Sequence, residues 1–160
     1  MAENDQDTAR QQENSPAIQT QKIYIKDISF ETPNSPGIFT REWKPTIKLD
    51  LGHRFTELPD GLFEVVLSLT ATVEIEGQTA YLAEVQQAGI FYLHGFDAER
   101  LHRIVNVNCP NQLYPYAVFA ISDIVSRGGF PQLLLAPVNF NALYNQRLAE
   151  AGDAGKPAAG

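Results

Sequence analysis

The sequence predicts an α+β domain of two layers, a four-stranded antiparallel sheet covered on one face by a long helix and a shorter C-terminal helix. Residues 63–75 alternate apolar and polar side chains, and period two over this length is typical of a half-buried strand. Glu76-Gly77-Gln78 reads as a tight turn, so a strand at 79–91 follows at hairpin distance. After this hairpin the apolar spacing becomes helical. Because the strands precede the helices, the order argues against βαβ units and a parallel sheet.

Two further strands are predicted before this hairpin. Residues 23–31 mix β-branched and aromatic side chains and end at a loop, 33–37, that contains two prolines. Residues 43–55 alternate, and Pro45 indicates the beginning of a strand or an edge position. The predicted apolar face of this strand carries Trp43, Ile47, Leu49 and Leu51.

The helical pattern of apolar residues is weak at first and becomes strong after Cys109-Pro110. Residues 97–107 have a helix-like pattern, which Cys109-Pro110 is expected to interrupt. A long helix then runs to Arg127, and its apolar residues at helical spacing are Leu113, Ala117, Ala120, Ile121, Ile124 and Val125. The remaining faces of this helix are also apolar, and they carry Tyr114, Tyr116, Val118 and Phe119. One sheet can cover only one face, so a second copy of the chain is expected to cover another.

Residues 127–140, RGGFPQLLLAPVNF, are predicted to be an ordered and mostly extended connector between two helices. Gly128-Gly129 ends the long helix, because glycine accepts the left-handed conformation found at helix ends. Asn139 is a candidate N-cap for a last helix at about 140–149. The connector must pack on its own protein or receive an apolar chain, because its large apolar side chains are Phe130, Leu133, Leu134, Leu135 and Val138.

One domain is expected from 160 residues, and a hydrophobic content of 44% suffices for a packed core. Residues 1–20 are polar and residues 150–160 are rich in Ala, Gly and Pro, so both ends are predicted to be disordered. The predicted folded domain therefore spans 21–149.

Charge and cysteine content narrow the function classes. A formal net charge of −7 argues against binding to nucleic acid and to anionic membranes. No signal peptide and no membrane-spanning segment is expected from the sequence. The single cysteine, Cys109, excludes an internal disulfide, which fits a reducing cytoplasm. Cys109 itself is interpreted as a small buried apolar residue.

The sequence contains no pattern typical of catalysis, and neither a metal nor a cofactor is expected. The three histidines, His53, His94 and His102, lack the i, i+4 spacing of a helical zinc site. No G-x-S-x-G motif is present, and GDAGKP at 152–157 departs from a phosphate-binding loop in spacing and in its last residue. The notable carboxylates either face solvent or form an acidic docking patch for a basic partner; they are Asp27, Glu31, Glu74, Glu76 and Glu84.

Four segments resemble a known family in their order and content: IKDISFE (25–31), EVQQAGIF (84–91), CPNQLYPYA (109–117) and SRGGFPQLLLAPVNF (126–140). Over about residues 21–148 the chain resembles the SecB family of bacterial export chaperones. The resemblance implies a cytoplasmic homotetramer, a dimer of dimers, with the long helices at its centre. It also implies that unfolded precursor proteins bind in apolar grooves without ATP and are handed to the translocation ATPase SecA.

The resemblance also implies which residues bind. The face on which the basic, zinc-bearing tail of SecA docks maps to Asp27, Glu31, Leu82 and Glu84, and the zinc would belong to SecA. The candidates for client binding flank the connectors and are Phe39, Trp43, Phe130, Leu133, Leu135, Leu143 and Tyr144. The candidate contacts between copies are Tyr116, Ala120, Ile124, Val85 and Gln87.

Two alternatives from other classes are weaker. An acyl-thioester enzyme of the hot-dog type would combine an antiparallel sheet with a long helix, and it would need a carboxylate beside a buried tunnel. The only helix carboxylates before Arg127 are Asp97, Glu99 and Asp123, and no thioester-like loop precedes them. The second alternative is a structural oligomer or a small-ligand binder.

Overall fold

The computed structural model describes residues 15–154, which form a four-stranded antiparallel sheet in the order β1-β4-β3-β2. The strands are β1 (Ala17–Glu31), β2 (Thr46–Glu57), β3 (Leu62–Ile75) and β4 (Gln78–His94). Short 3₁₀ turns lie on either side of β2, at Gly37–Thr40 and Pro59–Gly61. Strands β3 and β4 are joined by a tight hairpin in which Glu76 and Gly77 have φ values of 51° and 78°. Two positive φ values are typical of a type I′ turn, so the predicted hairpin is confirmed.

The helices are α1 (Ala98–Arg103), α2 (Cys109–Arg127) and α3 (Phe140–Ala154). A π-helical turn, Ile104–Asn108, joins α1 to α2 without a break, so the predicted interruption at Cys109-Pro110 is wrong. The backbone N–H of Cys109 donates to the carbonyl of Ile104, five residues earlier. The wider hydrogen-bonding pattern of a π turn lets the helix continue into a proline, which has no N–H to contribute.

Both ends of the regular structure extend past the predicted domain limits. Strand β1 begins at Ala17, opposite His94, so residues 17–20 belong to the sheet and not to an N-terminal arm. Ladder pairing uses backbone groups, and an edge strand can therefore continue through polar side chains. Helix α3 includes 150–154, which the sequence assigned to the tail. The rest of the two predicted arms, 1–14 and 155–160, lies outside the described residues.

The core lies between the sheet and α2, as the period-two and helical patterns predict. The residues of β3 that face α2 are buried, and they are Phe63, Val65, Leu67, Leu69, Ala71, Val73 and Ile75. The buried residues of α2 that meet them include Leu113, Ala117, Ile121 and Val125. Cys109 is buried in this core, and burial raises the pKa of its thiol to about 12. The interpretation of Cys109 as a small apolar core residue is therefore confirmed.

The connector after α2 also follows the prediction. Helix α2 ends at Arg127, and Gly129 adopts a φ of 89°, in the left-handed region. The chain then has no regular structure until α3, where the Oδ1 atom of Asn139 accepts a 3.0 Å hydrogen bond from the N–H of Ala142. Asn139 thus caps α3 as predicted.

Gly128 leaves no space for a side chain. A Cβ at this position would lie 2.2 Å from Cζ of Phe30, whose ring is itself held by Tyr81 and Phe130. We therefore expect Gly128→Ala to lower the free energy of unfolding by about 1–3 kcal/mol, the usual cost of overpacking. Urea unfolding at fixed protein concentration measures this loss. Gly37→Ala is the matched control, because no atom lies within 4 Å of a Cβ there, and equal stability of the two variants would contradict the prediction.

Candidate functional site

Phe130 lies at the centre of an aromatic cluster on one end of the core. Its ring centroid is 4.8 Å from that of Phe39, 4.9 Å from Tyr81 and 5.8 Å from Trp43. Phe130 is buried, whereas Phe39 is 49% exposed and Trp43 is 37% exposed. The structure therefore brings three of the predicted client-binding residues together, with the ring of Phe130 buried beneath the two surface rings. We call Phe39, Trp43, Tyr81 and Phe130 the aromatic cluster.

The loop before β2 positions the surface rings of the aromatic cluster. Ile38 is buried and anchors the 3₁₀ turn next to Phe39, and its N–H donates to the carbonyl of Asn34 at 2.9 Å. The side-chain amide of Asn34 donates in turn to the carbonyl of Thr79 at 2.9 Å, which ties the loop to β4. Preformed aromatic surface of this kind can bind apolar side chains at a small cost in conformational entropy.

An apolar strip on β2 extends from the aromatic cluster. Ile47 lies opposite Val73, and Val73 lies opposite Tyr81, so Ile47 is in the same cross-strand row as the cluster. Ile47 and Leu49 are both exposed, because α3 contacts this side of the edge strand only further along, at His53. The alternation in 43–55 predicted an apolar face here, but only the structure shows that this face is uncovered.

A second apolar surface lies between α2 and the connector. It forms a groove of about 420 Å³ whose apolar lining includes Phe119, Leu133, Leu134 and Leu135. Phe119 is 76% exposed and Leu134 is 81% exposed, while Leu133 is buried. The hydroxyl of Tyr114 donates to the carbonyl of Ala136 at 2.6 Å and holds the connector against α2. The predicted residues Leu133 and Leu135 therefore line a groove that is distinct from the aromatic cluster.

The last two predicted client-binding residues, Leu143 and Tyr144, lie in a third place. They line a cavity of only about 30 Å³ between α3, β2 and the π turn. Tyr144 is buried, its hydroxyl is 2.7 Å from Nδ1 of His102, and the guanidinium of Arg103 lies 5.1 Å from its ring centroid. In the described chain these contacts attach α3 to the rest of the fold.

His53 completes this attachment in one defined tautomer. Asn106 donates its Nδ2–H to the carbonyl of His102 at 2.7 Å, so its Oδ1 is the atom that accepts from His53 Nε2, also at 2.7 Å. The other ring nitrogen, Nδ1, lies 3.4 Å from the guanidinium of Arg147 on α3 and can only accept from it. Burial, and secondarily the charge of Arg147, outweigh the hydrogen bond to Asn106 and lower the pKa of His53 below 6.5.

We expect α3 to loosen at acid pH. Protonation would place a hydrogen on Nδ1 of His53, facing the permanently charged Arg147. With α3 packed against β2, His53 binds protons less readily than it does when α3 is detached. The stabilisation of α3 by neutral His53 is therefore present above about pH 6.5 and is lost as the pH falls through the lowered pKa. Amide hydrogen exchange of α3 at pH 7.5 and 5.5, corrected for intrinsic rates, measures the change.

A His53→Gln variant provides the control for this pH step. Its amide can donate to Asn106 and accept from Arg147, but it does not titrate in this range. The protection of the α3 amides from hydrogen exchange should therefore vary little with pH in the variant. An equal loss of protection at pH 5.5 in the variant and the wild type would exclude His53 as the cause.

The outer face of the sheet, opposite the helices, brings the predicted SecA-docking residues together. Glu31 is the register partner of Leu82, and Ser29 is the partner of Glu84, so both pairs project from the same face. With Thr70 and Ala83 they line a shallow pocket of about 210 Å³. Asp27, opposite Gln86, lies on this face one row further along β1. We call Asp27, Glu31, Leu82 and Glu84 the acidic face.

The carboxylates of the acidic face are free for a partner. Among residues 15–154, no Lys, Arg or His nitrogen lies within 4.0 Å of the side chains of Asp27, Glu31 or Glu84. Three negative charges without an ion pair in the described residues, beside the half-buried Leu82, suit a basic segment that also carries an apolar side chain.

The predicted contacts between copies divide into two groups. Tyr116 is exposed and Ile124 is half-buried on α2, while Ala120 is almost fully buried. Val85 and Gln87 are buried on the side of β4 that faces the helices, and their predicted role between copies stays a prediction. Gln87 instead donates to the carbonyl of Tyr24 at 3.0 Å within the chain.

Strand β1 carries an apolar stripe that the sequence analysis did not single out. Ile18, Ile25 and Ile28 lie opposite Leu93, Gln87 and Val85, and all three isoleucines are exposed because β1 is an edge strand. They are seven and three residues apart, so strict alternation would not place them together, and the shifts in register along β1 bring them to one face.

Other kinds of site have no support in the described chain. Within residues 15–154 no three or more His, Cys, Asp or Glu side chains are grouped so that they could hold a metal ion. No helix in that part of the chain is long and apolar enough to span a membrane.

The sequence and the fold are similar to those of known proteins. The SecB family model, described as preprotein translocase subunit SecB, matches residues 11–151. The chain is 51% identical over 138 residues to the protein-export protein SecB of Methylococcus capsulatus, and the match covers 86% of this chain and 89% of that relative. A SecB-like chaperone of Mycobacterium tuberculosis, solved in complex with a ChAD peptide from the HigA1 antitoxin, has a similar fold. Its TM-score is 0.65 at 21% identity, and the match covers 81% of this chain and 95% of that one.

Proposed function

Because the chain belongs to the SecB family, we propose that it is an ATP-independent chaperone that holds unfolded precursor proteins in apolar grooves and delivers them to SecA. The family is one of export chaperones and not of enzymes, and the comparisons give no support to a hot-dog-type thioesterase. The proposed place of action is the cytoplasm, where precursors await export.

The observation that carries the proposal is uncovered apolar surface held in a rigid arrangement. Phe39 and Trp43 in the aromatic cluster, and Phe119 and Leu134 at the connector groove, are exposed beside well-packed core. Unfolded clients share no sequence, but they share exposed apolar side chains. Covering such surface contributes about 25 cal/mol per Å², independently of sequence and without a nucleotide. Several modest surfaces on one assembly then act together through their high effective concentration.

Delivery to SecA is proposed to use the acidic face. It lies on the side of the sheet opposite α2, so client and SecA would occupy different surfaces. Its free carboxylates would attract a basic tail over a distance set by ionic strength.

We further propose a homotetramer built as a dimer of dimers, because the described chain has two more apolar surfaces besides those proposed to bind clients. One is the outer face of α2 with Tyr116, and the other is the stripe of Ile18, Ile25 and Ile28 on β1. Two different surfaces are what a dimer of dimers requires. Exposed strand edges and apolar patches of this kind are usually covered in stable proteins.

Light scattering tests the assembly. The wild-type chain should have the mass of four chains, and Tyr116→Asp should reduce it, because a charge would be buried at a contact between helices. Leu148→Asp places the same charge on an exposed part of α3 and should leave the mass unchanged. A monomeric wild-type protein would contradict the proposed tetramer.

The chaperone activity itself is tested by diluting a precursor from denaturant into buffer with and without the protein, in the absence of nucleotide. We expect refolding to slow in proportion to the amount of chaperone, because only unfolded chain exposes the side chains that bind. An unchanged refolding rate would overturn the proposed function. A folded client added to the same assay should show no binding.

A further inference from the structure

Strand β1 changes phase in the middle. Ile23 and Phe30 both pack against the core, although they are seven residues apart and strict alternation would place them on opposite faces. The register explains this, since Ile25 lies opposite Gln87 while Asp27 lies opposite the next residue, Gln86. Lys26 is therefore an extra residue with no partner on β4, which is a β-bulge.

The bulge determines which side chains form the acidic face. After Lys26, the residues Ile28 and Phe30 face the helices, and Asp27, Ser29 and Glu31 face outward. Without the extra residue each of these side chains would move to the other face, because a slip of one residue reverses the alternation. Asp27 and Glu31 would then point toward the core, and Glu84 would remain alone outside.

An ion pair holds the bulged residue in place. Nζ of Lys26 lies 2.7 Å from Oε1 of Glu64 on β3, so the side chain reaches across β4 to the next strand. The hydroxyl of Tyr24 donates to the other carboxylate oxygen of Glu64. Glu64 is mostly buried beneath these partners, and their hydrogen bonds, that of Lys26 first, lower its pKa. One ionised carboxylate thus fixes the two residues of β1 that flank Ile25.

We propose that Lys26 is a positioning residue for SecA binding, because its bulge and its ion pair with Glu64 keep the carboxylates of β1 on the same face as Glu84. This inference rests on the proposed docking of SecA at the acidic face. Lys26 itself need not touch SecA.

The direction in which one substitution changes the affinity for SecA distinguishes this positioning role from simple charge attraction. Lys26→Met removes a positive charge near the acidic face, so attraction of a basic partner alone would make SecA bind more tightly. Loss of the ion pair instead lets the bulge slip and should weaken binding. We expect the dissociation constant of purified SecA, measured by calorimetry at low salt, to rise about threefold to tenfold.

Two further variants separate the loss of a positive charge from the loss of the ion pair with Glu64. Lys22→Met removes the same charge from the same face, where Lys22 lies opposite Ile90 and forms no ion pair in the described part of the chain. We expect it to bind SecA as tightly as the wild type or slightly more tightly. Lys26→Arg keeps the charge and the reach to Glu64 and should restore wild-type affinity. Hydrogen exchange of the Asp27–Glu31 amides should increase in Lys26→Met only.

The outcomes distinguish the proposed docking of SecA from the proposed positioning role of Lys26. If the wild-type protein fails to bind SecA, the proposed docking is wrong and this inference falls with it. If the wild type binds and Lys26→Met binds equally well or better, docking stands and the positioning role of Lys26 is excluded. Circular dichroism of each variant verifies that the fold is retained.

Discussion

Replacing Glu31 and Glu84 with alanine together is expected to weaken SecA binding by roughly fivefold to fiftyfold. Each substitution removes one carboxylate that forms no ion pair with the described residues, so its charge is available to the partner. Partly exposed charge contacts contribute about 0.2–1 kcal/mol each, and more where the partner excludes water. The two residues flank the same pocket, so their losses should combine.

The measurement is the dissociation constant of SecA at two salt concentrations. The effect should be largest at low salt, because a Debye length of about 10 Å at 0.1 M screens exposed charges. Glu57→Ala with Glu150→Ala is the matched control, since it changes the net charge equally but at exposed positions away from the acidic face. Unchanged affinity of the Glu31/Glu84 variant at low salt would contradict the assignment. Client capture and oligomer mass should stay at wild-type values.

Leu135→Asp is expected to weaken the capture of unfolded clients by about tenfold. Leu135 is half-buried in the groove between α2 and the connector, where an apolar client side chain would displace water. A carboxylate there loses its hydration when the groove fills, and it finds no cation among the residues that line the groove. Losing one apolar contact of 1.5–3 kcal/mol corresponds to about tenfold or more, and the other apolar surfaces limit the total effect.

Fluorescence anisotropy of a labelled precursor, kept unfolded, measures this loss. Leu148→Asp introduces the same charge at an exposed position of α3 outside the groove and should bind as the wild type does. A folded Leu135→Asp protein with full affinity would remove the groove from the client-binding surface. Phe39→Asp in the same assay then tests the aromatic cluster separately, because the two surfaces share no lining residue.

Much of the site could be predicted because its parts are local or periodic in the chain. The alternation of 63–75 placed the core face of β3, and Glu76-Gly77 placed the hairpin. The double glycine at 128–129 and the cap at Asn139 placed the ends of two helices and the connector between them. Each of these features depends on the conformational preference of a few neighbouring residues, which needs no knowledge of the rest of the fold.

The sequence therefore determined by itself the class of the fold and the resemblance to SecB, and that resemblance supplied the candidate residues of the acidic face. Only the tertiary structure decided which apolar residues are uncovered. Val85 and Ile47 both alternate in strands, yet α2 covers the first and leaves the second exposed. The sequence also could not separate Tyr144 from the aromatic cluster, or reveal that Lys26 carries the change of phase in β1. Exposure and register depend on which distant elements pack together, and a periodic pattern contains the spacing of side chains but not the identity of the neighbour that covers them.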